Sequence, residues 1–179
     1  MKRSPVQITE LFYPVLSYEA NPGADPATFD PTMPVDVKSS VAYCSDDEHM
    51  VRLTFSQSTV AENFPYSVNL EAYAVFTFDK ESAKELYGEL IIMNLSVNVV
   101  SILFSSAREV LAHATARGPY GAVYIEGVVI DACSVEINFD EDPKKMIPRI
   151  FGVKSPDSNA TSAGSRKKGV KGSKRVSKE

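Results

Sequence analysis

From residue 6 to residue 78 the chain alternates apolar and polar side chains with period two, in runs separated by polar or proline-rich connections. Val6, Ile8, Phe12, Leu16 and Tyr18 share one side of an extended segment, with Gln7, Thr9 and Ser17 among those opposite. Asn21-Pro22-Gly23-Ala24-Asp25-Pro26, followed by Pro31 and Pro34, excludes helix and central strand and is a connection. Alternation resumes with Val35, Val37 and Val41 against Asp36, Lys38 and Ser40. A polar turn over Asp46-Asp47-Glu48-His49 precedes Val51, Leu53 and Phe55, which alternate with Arg52, Thr54 and Ser56. Beyond a loop around Ala61 to Pro65, the longest one-sided run is Tyr66, Val68, Leu70, Ala72, Ala74, Phe76 and Phe78. Four strands joined by short turns predict an antiparallel sheet with one apolar and one more polar face.

The period then lengthens. Asp79 is suited to cap a helix, with Glu81 in its first turn favoured by the helix dipole. Ala83, Leu86, Tyr87, Leu90 and Ile91 follow at helical spacing, and Asn94 to Val97 is the expected break between two helical pieces. The second piece carries Leu103, Ala107, Val110, Leu111 and Ala114 on one stripe. Its other side holds the small residues Ser101, Ser105, Ala112 and Ala116, and Arg117-Gly118-Pro119 ends it. Val123, Ile125, Val129, Cys133, Val135, Ile137 and Phe139 then predict one long strand or a hairpin, ending at Asp140-Glu141-Asp142-Pro143. The fold class is α+β: an antiparallel sheet of four or more strands, helices on one face, and added C-terminal strand.

Charge divides the chain. Of the 19 basic residues, eight lie between Lys154 and Glu179 with only Asp157 and Glu179 against them, so an acidic body carries a basic tail. The expected organisation is a domain over 1–150 and a disordered basic segment over 151–179. Leu90 to Ala107 contains no charged residue, the length of a membrane span. Its Asn94, Ser96, Asn98, Ser101, Ser105 and Ser106 argue instead for a helix buried on several sides. Met1-Lys2-Arg3-Ser4-Pro5 leads into the strand pattern without an apolar run, so the expected setting is the cytoplasm, with Cys44 and Cys133 reduced.

Chemistry has little to work with. His49 and His113 are the only histidines, and Glu109 and His113 stand one helical turn apart without a further ligand. Arg108 and Glu109 read as structural ion-pair formers, and Asp46-Asp47-Glu48 lacks the glycine and spacing of a calcium loop. No enzyme activity, metal or cofactor is expected.

Several segments, in order, resemble the SecB family of export chaperones. Val6-Gln7-Ile8 through Leu16-Ser17-Tyr18-Glu19-Ala20-Asn21-Pro22 resembles its first strand, Val35-Asp36-Val37-Lys38 its second and Val51-Arg52-Leu53-Thr54-Phe55 its third. Ile102-Leu103-Phe104, then Ala107-Arg108-Glu109, Thr115 and Arg117-Gly118-Pro119-Tyr120, resembles the end of its long helix. Ser105-Ser106 replaces the family's Pro-Tyr, and Val123 to Phe139 replaces the segment leading into its C-terminal lid helix. Of the acidic positions with which the family meets the export ATPase SecA, Val15 and Asn69 are uncharged here and Glu19 keeps its charge, which puts that contact in doubt.

The resemblance implies an oligomeric holdase, with unfolded polypeptide, or an antitoxin as in some family members, as client. The expected client groove comprises Val37, Val41, Phe55, Leu70, Tyr73 and Phe76, with Leu103 and Leu111 beneath or beside them. Each taken singly reads as core; the set, with the resemblance, reads as a groove. Subunits of a dimer or tetramer are expected to meet along the uncharged helix at Asn94, Asn98, Ser101, Ser105 and Ala112, the asparagines finding partners across that contact. The rival is an adaptor binding nucleic acid or an acidic partner through Arg166, Lys167, Lys168, Lys171, Lys174, Arg175 and Lys178. That segment has no aromatic residue for stacking, so nucleic-acid binding through it would be sequence-blind.

Overall fold

The computed structural model describes residues 4–25, 27–28, 32–33, 35–44, 47–56 and 64–153. Pro26, Pro31, Pro34, Asp46, Ala61 and the basic segment from Lys154 lie outside them. The strands are β1 (Val6–Ala20), β2 (Thr32–Met33), β3 (Asp36–Tyr43), β4 (His49–Ser56) and β5 (Tyr66–Phe78). Helix α1 (Lys80–Tyr87), a 3-10 turn (Gly88–Leu90) and α2 (Ile91–Thr115) follow, then β6 (Tyr124–Ile125), β7 (Val135–Phe139) and α3 (Pro143–Phe151).

One sheet runs in the order β1-β5-β4-β3-β7, and β2 pairs with β6 in a separate two-stranded ribbon. The alternation predicted for β4 and β5 is met at Val51, Leu53, Phe55, Tyr66, Val68, Leu70, Ala72, Ala74 and Phe76, which are buried, while Phe78 is half-buried and His49, expected in the polar turn, instead opens β4 and is buried. Strand β1 departs from its expected single side. Register shifts between Ile8 and Glu10 and between Phe12 and Val15 turn Phe12 to the sheet's outer face, opposite Tyr73, and bring Leu11 to the inner side, where Leu16 and Tyr18 lie as expected. Pro14, which has no N–H for a ladder, sits inside the second shift on an outermost strand.

The sheet is mixed, not antiparallel throughout, because β7 runs parallel to β3 with Ser39 opposite Val135 and Tyr43 opposite Phe139. The cause is the helix. α2 starts near the end of β3, where Ser96 meets Tyr43, and finishes near the start of β5, where Tyr66 reaches the Thr115 carbonyl. It thus returns the chain to the end where β3 begins, and a strand added there runs in the same direction. The predicted long strand after Tyr120 is therefore two separate strands, β6 and β7, with an irregular connection between them.

The expected break at Asn94 to Val97 falls instead at Gly88, whose φ of 58° only glycine adopts at little cost. Asp79 caps α1, accepting from the Ser82 N–H at 2.8 Å. α2 runs unbroken through that segment, its buried face held on the sheet, and its hydroxyls are satisfied on its own carbonyls: Ser96 to Ile92 (2.7 Å), Ser101 to Val97 (2.7 Å), Ser105 to Ser101 (2.9 Å). Lys80–Thr115 is long and apolar enough to cross a membrane, yet α2 lies on the sheet, with Ile91, Leu95, Val99, Val100, Leu103, Phe104, Ala107 and Leu111 buried. Its end is locked by tyrosines. The Tyr120 N–H donates to Tyr66 Oη (3.1 Å), Tyr120 Oη donates to the Asn21 carbonyl (2.6 Å), and a Cβ at Gly118 would collide with Tyr66 Oη.

Helix α3 was not expected. Asp142 accepts from the Lys144 N–H at 3.0 Å and Pro143 occupies the first turn, where its missing N–H costs nothing. Met146, Ile147, Ile150 and Phe151 are buried, with Phe151 edge-on to Tyr43 at 4.8 Å and stacked on Phe78 at 5.7 Å. An amphipathic C-terminal helix is present, then, but it plugs the far end of the inner face.

Candidate functional site

A helix is about 10–12 Å wide, whereas five strands at about 4.8 Å spacing span nearly twice that. α2 therefore covers the centre of the sheet and leaves two flanks. On one, Tyr13 of β1 reaches α2 through Ser106 at 2.8 Å, the serine standing where the resembled family has tyrosine. Beside it Leu11, Leu16 and Tyr18, all facing the helix side, remain roughly two-fifths exposed. Among the described residues β1 is outermost in the sheet, with one edge of its 15 residues paired to β5.

The expected groove residues divide unevenly. Val41, Phe55, Leu70, Phe76, Leu103 and Leu111 are fully enclosed between sheet and α2, where no foreign chain reaches them. Val37 is half-buried at the margin. Tyr73 lies on the outer face, stacked on Phe12 at 5.5 Å, with Arg52 over its ring and its hydroxyl donating to Glu71 at 2.8 Å. Those bonds, together with the Arg52–Glu71 ion pair, hold Glu71 below the usual carboxylate range. Of the apolar residues left uncovered, Leu16 and Tyr18 were legible in the sequence as members of the apolar side, whereas Leu11 joins them only through the register shift before Glu10.

The expected subunit-contact residues lie on one stripe of α2, Ser105 exposed and Asn94, Asn98, Ser101 and Ala112 half-buried. Asn98 already has a partner within the chain, donating to Tyr87 Oη at 2.7 Å, and Ser101 and Ser105 bond their own helix. The polar content of this helix does not by itself demand a second subunit. Ser105 and Ala112 line something else: a cleft of about 460 Å³ on the second flank, between the last turns of α2 and Ala122 and Tyr124. Arg108 is in its wall. The guanidinium lies over the Phe104 ring at 5.7 Å, and the buried Nε has no hydrogen-bond partner. Arg108 and Glu109, expected as structural ion-pair formers, make no ion pair among the described residues. Tyr124 is 55% exposed, and Val129, in the segment that follows, 92%.

A second cleft of about 470 Å³ lies at the opposite end, lined by Asp47, His49, Thr77, Phe78, Lys80, Arg149 and Ile150. His49 is buried against Tyr43, Phe76 and Phe78, its Nδ1 accepting from the Cys44 N–H at 3.2 Å. Burial pushes its pKa down to about 4, against an opposing pull from Asp47 and Asp140. Burial likewise raises Tyr43, despite its bond to Ser96. Lys80 donates to the Arg149 carbonyl at 2.6 Å. Among the described residues no three His, Cys, Asp or Glu side chains converge as metal ligands.

The fold is thus an α+β architecture with a mixed five-stranded sheet under one long helix. No family model matches the chain, and no curated protein matches it. Among solved structures it is similar to the Mycobacterium tuberculosis Rv1957 SecB-like chaperone in complex with a ChAD peptide from the Rv1956 HigA1 antitoxin. The identity is 15%, over 70% of this chain and 92% of that one, with a TM-score of 0.45.

Proposed function

We propose that the protein is an ATP-independent holdase that keeps non-native polypeptide, an antitoxin among the possible clients, against apolar surface, working in the cytoplasm as an oligomer. The observation that carries this reading is the uncovered inner side of β1: Leu11, Leu16 and Tyr18 stand exposed beside a backbone edge on which, among the described residues, no strand lies. An extended chain pairing with that edge would satisfy its N–H and C=O groups and lay alternate side chains against those three residues. Burying about 600 Å² of apolar surface is favourable by about 15 kcal/mol. Ordering about ten client residues costs about 1–2 kcal/mol each, so one segment binds weakly and lets go easily. Several such edges on one oligomer would retain a client through effective concentration. The client surface in this proposal is the inner side and outer edge of β1, in place of the enclosed Val41, Phe55, Leu70, Phe76, Leu103 and Leu111; Val37 lies three strands away, beyond Phe55 and Leu70.

The test is suppression of aggregation of a chemically unfolded client, without nucleotide, by the full chain and by a chain ending at Lys154. Both are expected to suppress at equimolar protein. No suppression by the full chain refutes the holdase. Activity confined to the full chain transfers the function to the basic segment.

A further inference from the structure

The far end of the inner face is closed by a cluster of rings that β4 and α3 share. His49, at the start of β4, packs against Tyr43 at 5.2 Å and Phe78 at 5.4 Å. Phe151 of α3 packs against the same two rings, at 4.8 and 5.7 Å. We infer that this cluster is an acid-sensitive latch: protonation of His49 releases α3 and uncovers the apolar surface beneath it, while β3, β4 and β5 stay paired.

The geometry gives the proton one place to go. His49 Nδ1 accepts the Cys44 N–H at 3.2 Å, so the neutral ring carries its hydrogen on Nε2 and an added proton must sit on Nδ1. That sets donor against donor among aromatic side chains, where burial already disfavours the charge. The ring must turn away, and the open space beside it is the cleft of about 470 Å³ walled by Asp47, Thr77, Phe78, Lys80, Arg149 and Ile150. Among the described residues the titratable groups around it are Cys44 and Tyr43, Asp47 just before β4, Asp140 just after β7, Lys80 of α1 and Arg149 of α3. Arg149 is paired with Glu141 at 3.8 Å. Asp47 and Asp140 attract an imidazolium, whereas Lys80 and Arg149, across the cleft, repel it.

α3 is the element that yields. It has nine residues, too few for a helix to persist in water by itself, and Pro148 inside it removes one of its own hydrogen bonds. Its order therefore depends on docking Met146, Ile147, Ile150 and Phe151, and lifting it breaks no rung of the five-stranded sheet. Phe78, which Phe151 covers, stands opposite Val6 in the β1–β5 ladder, so the surface uncovered leads into the inner side of β1.

Hydrogen exchange of the full chain, read by mass spectrometry and corrected for the pH dependence of the intrinsic rate, tests the latch. With the His49 pKa at about 4 when α3 is docked and at 6.5 once freed, α3 is expected to open about fifty-fold more at pH 4.5 than at pH 7, with β5 still protected. In His49→Phe, and in His49→Asn, which keeps an acceptor for the Cys44 N–H, α3 is expected to exchange equally at the two pH values. Protection of α3 that is unchanged at pH 4.5, or lost together with that of β5, overturns the latch. So does a pH dependence that persists in the variants. If neither variant folds, the unaltered chain decides: of its two histidines the buried one must titrate, by NMR of its imidazole, over the pH range in which α3 opens, and titration elsewhere overturns the proposal.

Discussion

Two clefts of nearly equal volume sit at opposite ends of α2, and they differ in how their polar groups are matched. At the His49 end, the buried imidazole accepts a backbone N–H, Lys80 donates to a backbone carbonyl, and aromatic rings close the remaining space. At the Arg108 end, a permanently charged group is seated on an aromatic ring with one nitrogen enclosed and unpaired. The first is a finished interior while His49 is neutral. The second leaves one guanidinium nitrogen without an acceptor among the described residues and rests on its aromatic support. Volume alone would not have separated them.

The difference can be challenged most forcefully at the plug of the His49 end. Phe151→Ala removes the ring that packs on both Tyr43 and Phe78 and is expected to cost about 3–5 kcal/mol in denaturant unfolding. A loss below about 1 kcal/mol would mean that α3 is an appendage and this end is open.

Next in size is pH. The folded-state pKa of His49, about 4, lies below its ordinary 6.5, so the neutral form is the one folding favours. Stability from this group is complete above pH 6.5 and falls as pH drops toward 4, by roughly 3 kcal/mol over that window. Glu71, Asp79 and Asp131, held below the usual carboxylate range, lose their contributions at lower pH than this. His49→Phe should flatten the profile between pH 6.5 and 4; a slope unchanged in that variant would place the titration elsewhere.

The smallest effect is the most discriminating. Arg108→Met should leave stability within about 1 kcal/mol of the original, since the lost cation–ring contact is offset by relief of the enclosed nitrogen. A loss of 2 kcal/mol or more would make Arg108 a structural residue, and the contrast between the clefts would collapse.

Much of this architecture was legible because short-range rules were not contested. β4 and β5 alternate cleanly with one face buried, and Asp79 caps the helix it was expected to cap. Where the reading went astray, a longer-range cause intervened. Phe12 changes faces because two register shifts fall within one strand. Asn94 to Val97 stays helical because Ile91, Leu95, Val99 and Val100 around it are buried on the sheet, while Ser96 satisfies its hydroxyl on the Ile92 carbonyl. Helix α3 did have a local signal, Asp142-Pro143 followed by Met146, Ile147, Ile150 and Phe151, overshadowed by the polar residues between them.

The groove residues show the same limit from another direction. Phe55 and Leu16 are both apolar members of one-sided strand patterns, yet one is enclosed under α2 and the other partly exposed beside it. Alternation along a strand depends only on the pleat, so the chain by itself determined which residues point to the apolar side of the sheet. Which of those residues α2 reaches depends on where a helix narrower than the sheet comes to rest, and whether β7 runs parallel or antiparallel depends on the end at which that helix releases the chain. Both are set by packing between segments distant in sequence, and so only the tertiary structure decided them.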